Sequence, residues 1–361
     1  MTTRLILAAL FGVALLTGPA RADLNSSLQR GTVELKSAGA LAFGPDNVLF
    51  VGDSVGGSVF ALGTGDTATG DRKAALNVDN IAGKIADLFG TIAKDVKIND
   101  MKVNPATGNV FLAVARGAGP NAGVAILRVD RSGKISEVSL KDIPFAKVDL
   151  LNIPKNEKQR TQSITSMAFV KDRLFVAGLS NEEFASTLRS IPFPFKDADK
   201  GTGIEIFHGA HGRLETNAPI RTFTPFDING QAHLLASYTC TPLVKIPVED
   251  LKPGSKVRGT TVAELGNMNQ PLDMVVYQKD GKTFILMANT ARGVMKITTE
   301  GIDKTEPITT PVRGGGTAGL KYDKITNLKG VVQLDKLSET QALILVKADD
   351  GSFNMTTVDL P

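Results

Sequence analysis

The sequence predicts an all-β chain, a six-bladed β-propeller, and three observations predict it. Val, Ile, Phe, Thr and Gly are plentiful while windows with helical periodicity are few. A strand–turn–strand plan first met in residues 40–62, ALAFGPDNVLFVGDSVGGSVFAL, returns along the chain. Its first strands begin near residues 40, 100, 166, 222, 273 and 330, which is the period of a repeat architecture with insertions and leaves no stretch for a seventh unit.

Taken in order, blade one reads as 40–43, 48–51, 58–62 and an outer strand at 73–78, with turns at Pro45-Asp46-Asn47 and Gly56-Gly57. After Asp79, the apolar residues Ile81, Ile85, Leu88, Phe89 and Ile92 share one face at helical spacing, and Gly90 marks an end. This is the one place where the sequence predicts a helix. Blade two follows at 100–103, 110–115, 123–129 and 135–140, around a DxxGxI hairpin at 130–135. Blade three reads as 166–170, 174–177, 203–207 and 214–223, with 178–203 taken as a loop. Blade four, the least regular, runs from about 222 through 233–237 to 243–248, and blade five is clear at 273–277, 284–288 and 293–298. Blade six has 330–334, 342–346 and 352–358 and then the chain ends, one outer strand short. The segment GTVELK at 31–36 reads as a lone strand. Placed beside 352–358 it would complete the last blade, so the ring is expected to close through this N-terminal strand and leave no open edge.

Residues 1–22 have the form of a secretory signal: Arg4, the apolar run LILAALFGVALLTGPA, then Ala20-Arg21-Ala22 as a small-residue cleavage pattern. The expected mature chain is a single propeller domain, 23–361, periplasmic or secreted, monomeric and without a membrane anchor. Loss of Arg4 and Arg21 lowers the basic count from 41 to 39 against 37 acids, a net +2. Charges of both signs are interspersed, so a nucleic-acid partner is not implied. Cys240 is the single cysteine, which excludes an internal disulfide.

In this arrangement nearly all extra length, at 79–99, 141–165, 178–203 and 305–329, falls on one face, and the opposite hairpins stay tight. Loops elaborated on one side of a rigid scaffold point to a binding face for a small ligand or a protein partner. The polar residues at its mouth are the candidate ligand-binding set: Asp53, Asp100, Arg116, Asn181, Glu182, Asp273, Asn289 and Arg292. Carboxylates and amides converging on an axis also suit a hard cation such as Ca²⁺.

The phrases LAFGPDNVLFVGDS and QPLDMVVYQKDGKTFILMANTARGVMKI resemble six-bladed propellers of the NHL and gluconolactonase (strictosidine-synthase-like) type. The lactonase branch implies a divalent metal held by a Glu opening the first blade together with Asn and Asp from other blades. That first position is Ala40 here, and Asp100, Asn181, Asp273 and Asn289 form the partial set. A metal-dependent hydrolase or lactonase is therefore the alternative to a binding module. A third reading comes from His208, His211, His233 and Cys240, which are all the His and Cys of the chain and lie within 33 residues. They are ligand types for copper or zinc. Blade geometry argues against one shared site, because it puts His208 and His211 in a hairpin on the tight face and Cys240 on the elaborated one. Cys240 then reads as a small buried apolar residue.

Overall fold

The computed structural model describes residues 24–68, 74–117 and 123–361, so the signal-like segment and Lys73 lie outside them. Six sheets form the architecture, as expected, antiparallel apart from one short strand added to blade three. The second strands of the blades, such as Val48–Asp53, Val110–Arg116 and Lys282–Asn289, are near-continuous apolar runs because both of their faces are covered by neighbouring sheets. Two-residue hairpins close the tight face in blades three, four and five. In blades four and five they are Asn229-Gly230 and Asp280-Gly281, with both residues of each pair at positive φ, the conformation that matches strand twist.

The order of blades around the ring is not the order along the chain. Blade two (Val96–Val103, Val110–Arg116, Gly123–Val129, Ile135–Glu137) lies between blade six and blade one. Apolar layers show it. Val110, Leu112 and Leu127 of blade two pack with Leu343, Leu345 and Met355 of blade six. On the other side, Phe111 and Ile126 pack with Leu41, Leu49 and Leu62 of blade one. Blade one meets blade three next, through Phe50 and Val59 against Met167, Leu174 and Val176. The ring therefore runs two, one, three, four, five, six and back to two.

This order changes how the ring is closed. The outer strand of blade one is Ile143–Asp149, antiparallel to Ser58–Gly63, and the chain returns from blade two to supply it. Gln29–Gly31 pairs outside that strand, and Val33 N–H donates to Leu140 O at 2.8 Å. GTVELK thus begins on the edge of blade one and not beside residues 352–358, a correction to the expected closure. The segment read as the outer strand of blade one closes blade six instead. Val78 exchanges both backbone bonds with Met355 (2.8 and 3.0 Å), and Leu76 N–H donates to Thr357 Oγ1. Alternation identifies both segments as half-buried edge strands; it carries no information about whose edge each one covers.

Helix Ile81–Phe89 follows directly, capped by the Asn80 side chain on Gly83 N–H and ended by Gly90 at φ 63. A second helix, one turn at Glu157–Arg160, was not expected. Blade three differs most from the sequence reading. The supposed loop contains a full strand, Ser186–Pro192, so Thr202–His208 is the fourth strand, Arg213–Glu215 the fifth, and Lys256–Arg258 adds alongside in parallel.

Candidate metal centre

That added strand reverses the direction of Thr202–His208. His208 then emerges on the same face as the Tyr238–Pro242 turn that carries Cys240, whereas a three-strand reading sends it to the opposite face. One ligating atom from each of His208, His211 and Cys240 lies within 4.8 Å of the others. A shared ion at ~2.0–2.3 Å from each donor needs separations of about 3.5 Å, a small side-chain adjustment away. The expectation that these residues sit on opposite faces is overturned. His233 does not join them; its Nδ1 lies 3.0 Å from the carbonyl of Gln231.

One carboxylate orients both imidazoles. Glu215 accepts from His208 Nδ1 at 2.8 Å and from His211 Nδ1 at 2.7 Å, and Arg213 Nε adds a bond at 3.2 Å. Burial alone would raise the Glu215 carboxyl, but these hydrogen bonds outweigh it and hold the group below its usual range. An ionised carboxylate can only accept, so both Nδ1 atoms carry the proton and both Nε2 atoms keep a free lone pair. His208 Nε2 is buried and has no hydrogen-bond partner. Burial also lowers the His208 pKa, despite Glu215, and favours the neutral ring that a metal requires. A carboxylate behind a histidine is the usual support of a metal ligand.

The cysteine is held by strained backbone. Cys240 and Thr241 stand at φ 65 and 55, a conformation that costs side-chain-bearing residues on the order of 1 kcal/mol or more each. Cys240 N–H donates to Asn269 O at 2.6 Å and Thr241 Oγ1 to Gly266 O at 2.7 Å. Beside them, Glu264 Oε1 accepts Gly209 N–H at 2.5 Å while its Oε2 is buried without a partner. Desolvation pushes the Glu264 carboxyl up to about 7, with the Gly209 and Ala210 amides opposing the shift. Gly209 is required by close approach: a Cβ there would stand 2.9 Å from Glu264 Cγ and 3.0 Å from Val312 Cγ2.

Of the mouth residues singled out from the sequence, the structure brings Asp100 and Asp273 together. They line a channel cavity of about 110 Å³ on the axis. Bulges at equivalent places in blades two, four, five and six turn Asp100, Thr222, Asp273 and Gln333 toward it. Lys102 Nζ reaches Asp273 at 3.4 Å. Each carboxylate also stitches blades. Asp273 accepts Leu334 N–H, Asp335 accepts Val103 N–H and Asp100 accepts Leu41 N–H, each from the next blade around the ring. Burial raises the carboxyls of Asp100 and Asp273, the latter to about 7, with Lys102 pulling the other way. Burial disfavours the Lys102 ammonium, but Asp273, Asp335 and Asp100 outweigh it and keep it charged.

The remaining mouth residues are engaged separately. Asp53 accepts from Lys36, Ser37 and Gly56 amides, and Arg116 lies over the Phe89 ring. Asn181 N–H donates to Asn152 O, Glu182 accepts from the Asn152 side chain, and Arg292 donates to Asn267 O. Asn289 Nδ2 is spent on Gly293 O and Met287 O. The elaborated face also carries a cleft of about 910 Å³ between blades one and two, where Lys36, Lys94, Lys97, Lys155 and Arg160 outnumber Asp95 and Glu157.

Sequence reasoning missed Glu215, Glu264, Lys102 and Asp335. The spacing His208-x-x-His211-x-x-x-Glu215 is the signal that was available for the first. The other three become visible only once strand register is known.

No family model matches the chain, and no curated protein does. Solved structures similar to it include a PQQ-bound aldose sugar dehydrogenase from Streptomyces coelicolor, at 12% identity, 92% of this chain, 96% of that one and a TM-score of 0.37. A glucose dehydrogenase matches at 12% identity, 92% and 98% coverage and 0.39, and a streptogramin B lyase at 8%, 92%, 97% and 0.34. Likeness at this level assigns neither ligand nor activity. Among the described residues no helix is long and apolar enough to cross a membrane.

Proposed function

We propose that the chain is an exported metal-binding propeller whose His208, His211 and Cys240 hold a thiolate-preferring transition ion, copper or zinc. The observation that carries this is Glu215 fixing both imidazoles by Nδ1 and leaving the His208 Nε2 buried and unpartnered, in a residue that groups with His211 and the only thiol. Two nitrogens and one sulfur suit copper and zinc better than calcium or magnesium. The signal-like segment at 1–22 supports export to the periplasm or medium. The calcium reading of the channel has less support, since Lys102 already supplies positive charge among its carboxylates, Asn289 Oδ1 already accepts from Asn269, and neither Asn181 nor Asn289 lines the channel cavity.

Elemental analysis after incubation with either ion and dialysis is expected to give close to one equivalent per chain. His208→Ala and Cys240→Ser should each lose about 90% of it while keeping the wild-type circular dichroism. Wild-type protein that retains neither copper nor zinc refutes the centre.

A second reading is favoured by the basic cleft between blades one and two: a binding site for a small anionic ligand on the same face. In a thermal-shift series with di- and tricarboxylates and sugar phosphates, at least one anion should raise the wild-type Tm by about 2 °C or more. The double variant Lys94→Glu/Lys97→Glu should abolish that shift. A shift that survives the charge reversal, or no shift with any anion, rejects this reading.

A further inference from the structure

We infer that the thioether of Met268 completes the centre and makes it selective for Cu(I). This rests on the metal reading above and adds a fourth ligand to it. The loop 266–269 lies against the turn that carries the thiol: Asn269 O accepts the Cys240 N–H, and Gly266 O accepts the Thr241 hydroxyl. Met268 is therefore one residue from a direct backbone contact with Cys240.

Its circumstances have no packing explanation. Met268 is 85% exposed, more than any other large apolar side chain among the described residues. It also stands at φ 53, where glycine or asparagine would be less strained. The residues on either side are anchored. Asn267 O accepts Arg292, and Asn269 Oδ1 accepts the amides of Ala291 and Arg292. An anchored loop thus presents a thioether to solvent, one residue along the backbone from the contact with Cys240, which is itself partly exposed and grouped with the exposed His211. Exposure of an apolar side chain on strained backbone returns no folding energy. A soft sulfur donor at the open side of a His₂Cys group accounts for it, because thioethers ligate Cu(I) and are poor ligands for Zn²⁺.

The test uses the full-length folded protein, Met268→Leu, which keeps the volume and removes the sulfur, and Met268→Ala. Cu(I) and Zn²⁺ affinities are measured separately, under anaerobic conditions, by competition with chromophoric chelators. Both variants are expected to bind Cu(I) about tenfold or more weakly, with Zn²⁺ affinity changed by less than about twofold. X-ray absorption of the Cu(I)-loaded wild type should fit two sulfur scatterers and that of Met268→Leu one. Unchanged Cu(I) affinity, or equal losses for both ions, overturns the role of Met268. Wild type that binds neither ion overturns the centre itself, so the two failures are distinct.

Discussion

Replacing Lys102 by methionine is expected to destabilise the fold by about 3–5 kcal/mol, the usual cost of removing one partner from a buried ion pair and leaving the other. That is a large part of the ~5–15 kcal/mol that holds a typical domain together. Lys102 is the cation held among Asp100, Asp273 and Asp335, and its side chain is only 20% exposed. Those carboxylates accept amides from adjacent blades, so charge repulsion among them acts on the joints of the ring.

The pH dependence gives the sign. A carboxyl raised above its unfolded value favours the fold most below the unfolded value, and that contribution is lost as pH rises through the folded value. For Asp273 the window runs from the ordinary carboxyl value of 3.8 to about 7. Without Lys102 the carboxyls rise further. The gap between Lys102→Met and wild type should therefore be narrow near pH 5 and wide near pH 8 in urea titrations. A variant equal to wild type at pH 8 would show that the lysine is not what makes this carboxylate cluster tolerable.

Much of the ring was legible because local signals and burial agree. Residues 284–288 and 110–115 are apolar without interruption, as a strand covered on both faces must be. Asp280-Gly281 marks its own hairpin. The strand Ser186–Pro192 was not legible. Its sequence, STLRSIP, has no alternation, and its arginine is buried, spending its guanidinium on the carbonyls of Ser163, Leu151 and Leu179 at 3.4–3.5 Å. One unrecognised strand reversed the next. The histidines of the candidate centre were identified as metal-ligand types and then assigned to the wrong face. Asp100 and Asp273 were found because each opens the plan of its blade, whereas Asp335 sits five residues past Gly330 and depends on a bulge that the sequence does not announce.

Edge pairing is the other thing that periodicity leaves open, and it sets the last expected result. Val78→Pro removes the N–H that Val78 donates to Met355 O and inserts a ring where the side chain is 2% exposed. An unsatisfied buried carbonyl costs ~1–3 kcal/mol, and displaced packing against Met355 and Leu345 brings the total to about 3 kcal/mol or more. Hydrogen exchange should accelerate across Phe353–Asp359, the strand that loses its outer neighbour. Val33→Pro instead breaks the bond to Leu140 O and should expose the segment around Ile143–Asp149, with Phe353–Asp359 still protected. If closure ran through GTVELK, the two patterns would be exchanged. That exchange would also remove blade two from its place between blades six and one, because the strand segment Leu76–Val78 is what the chain lays along blade six on its way there.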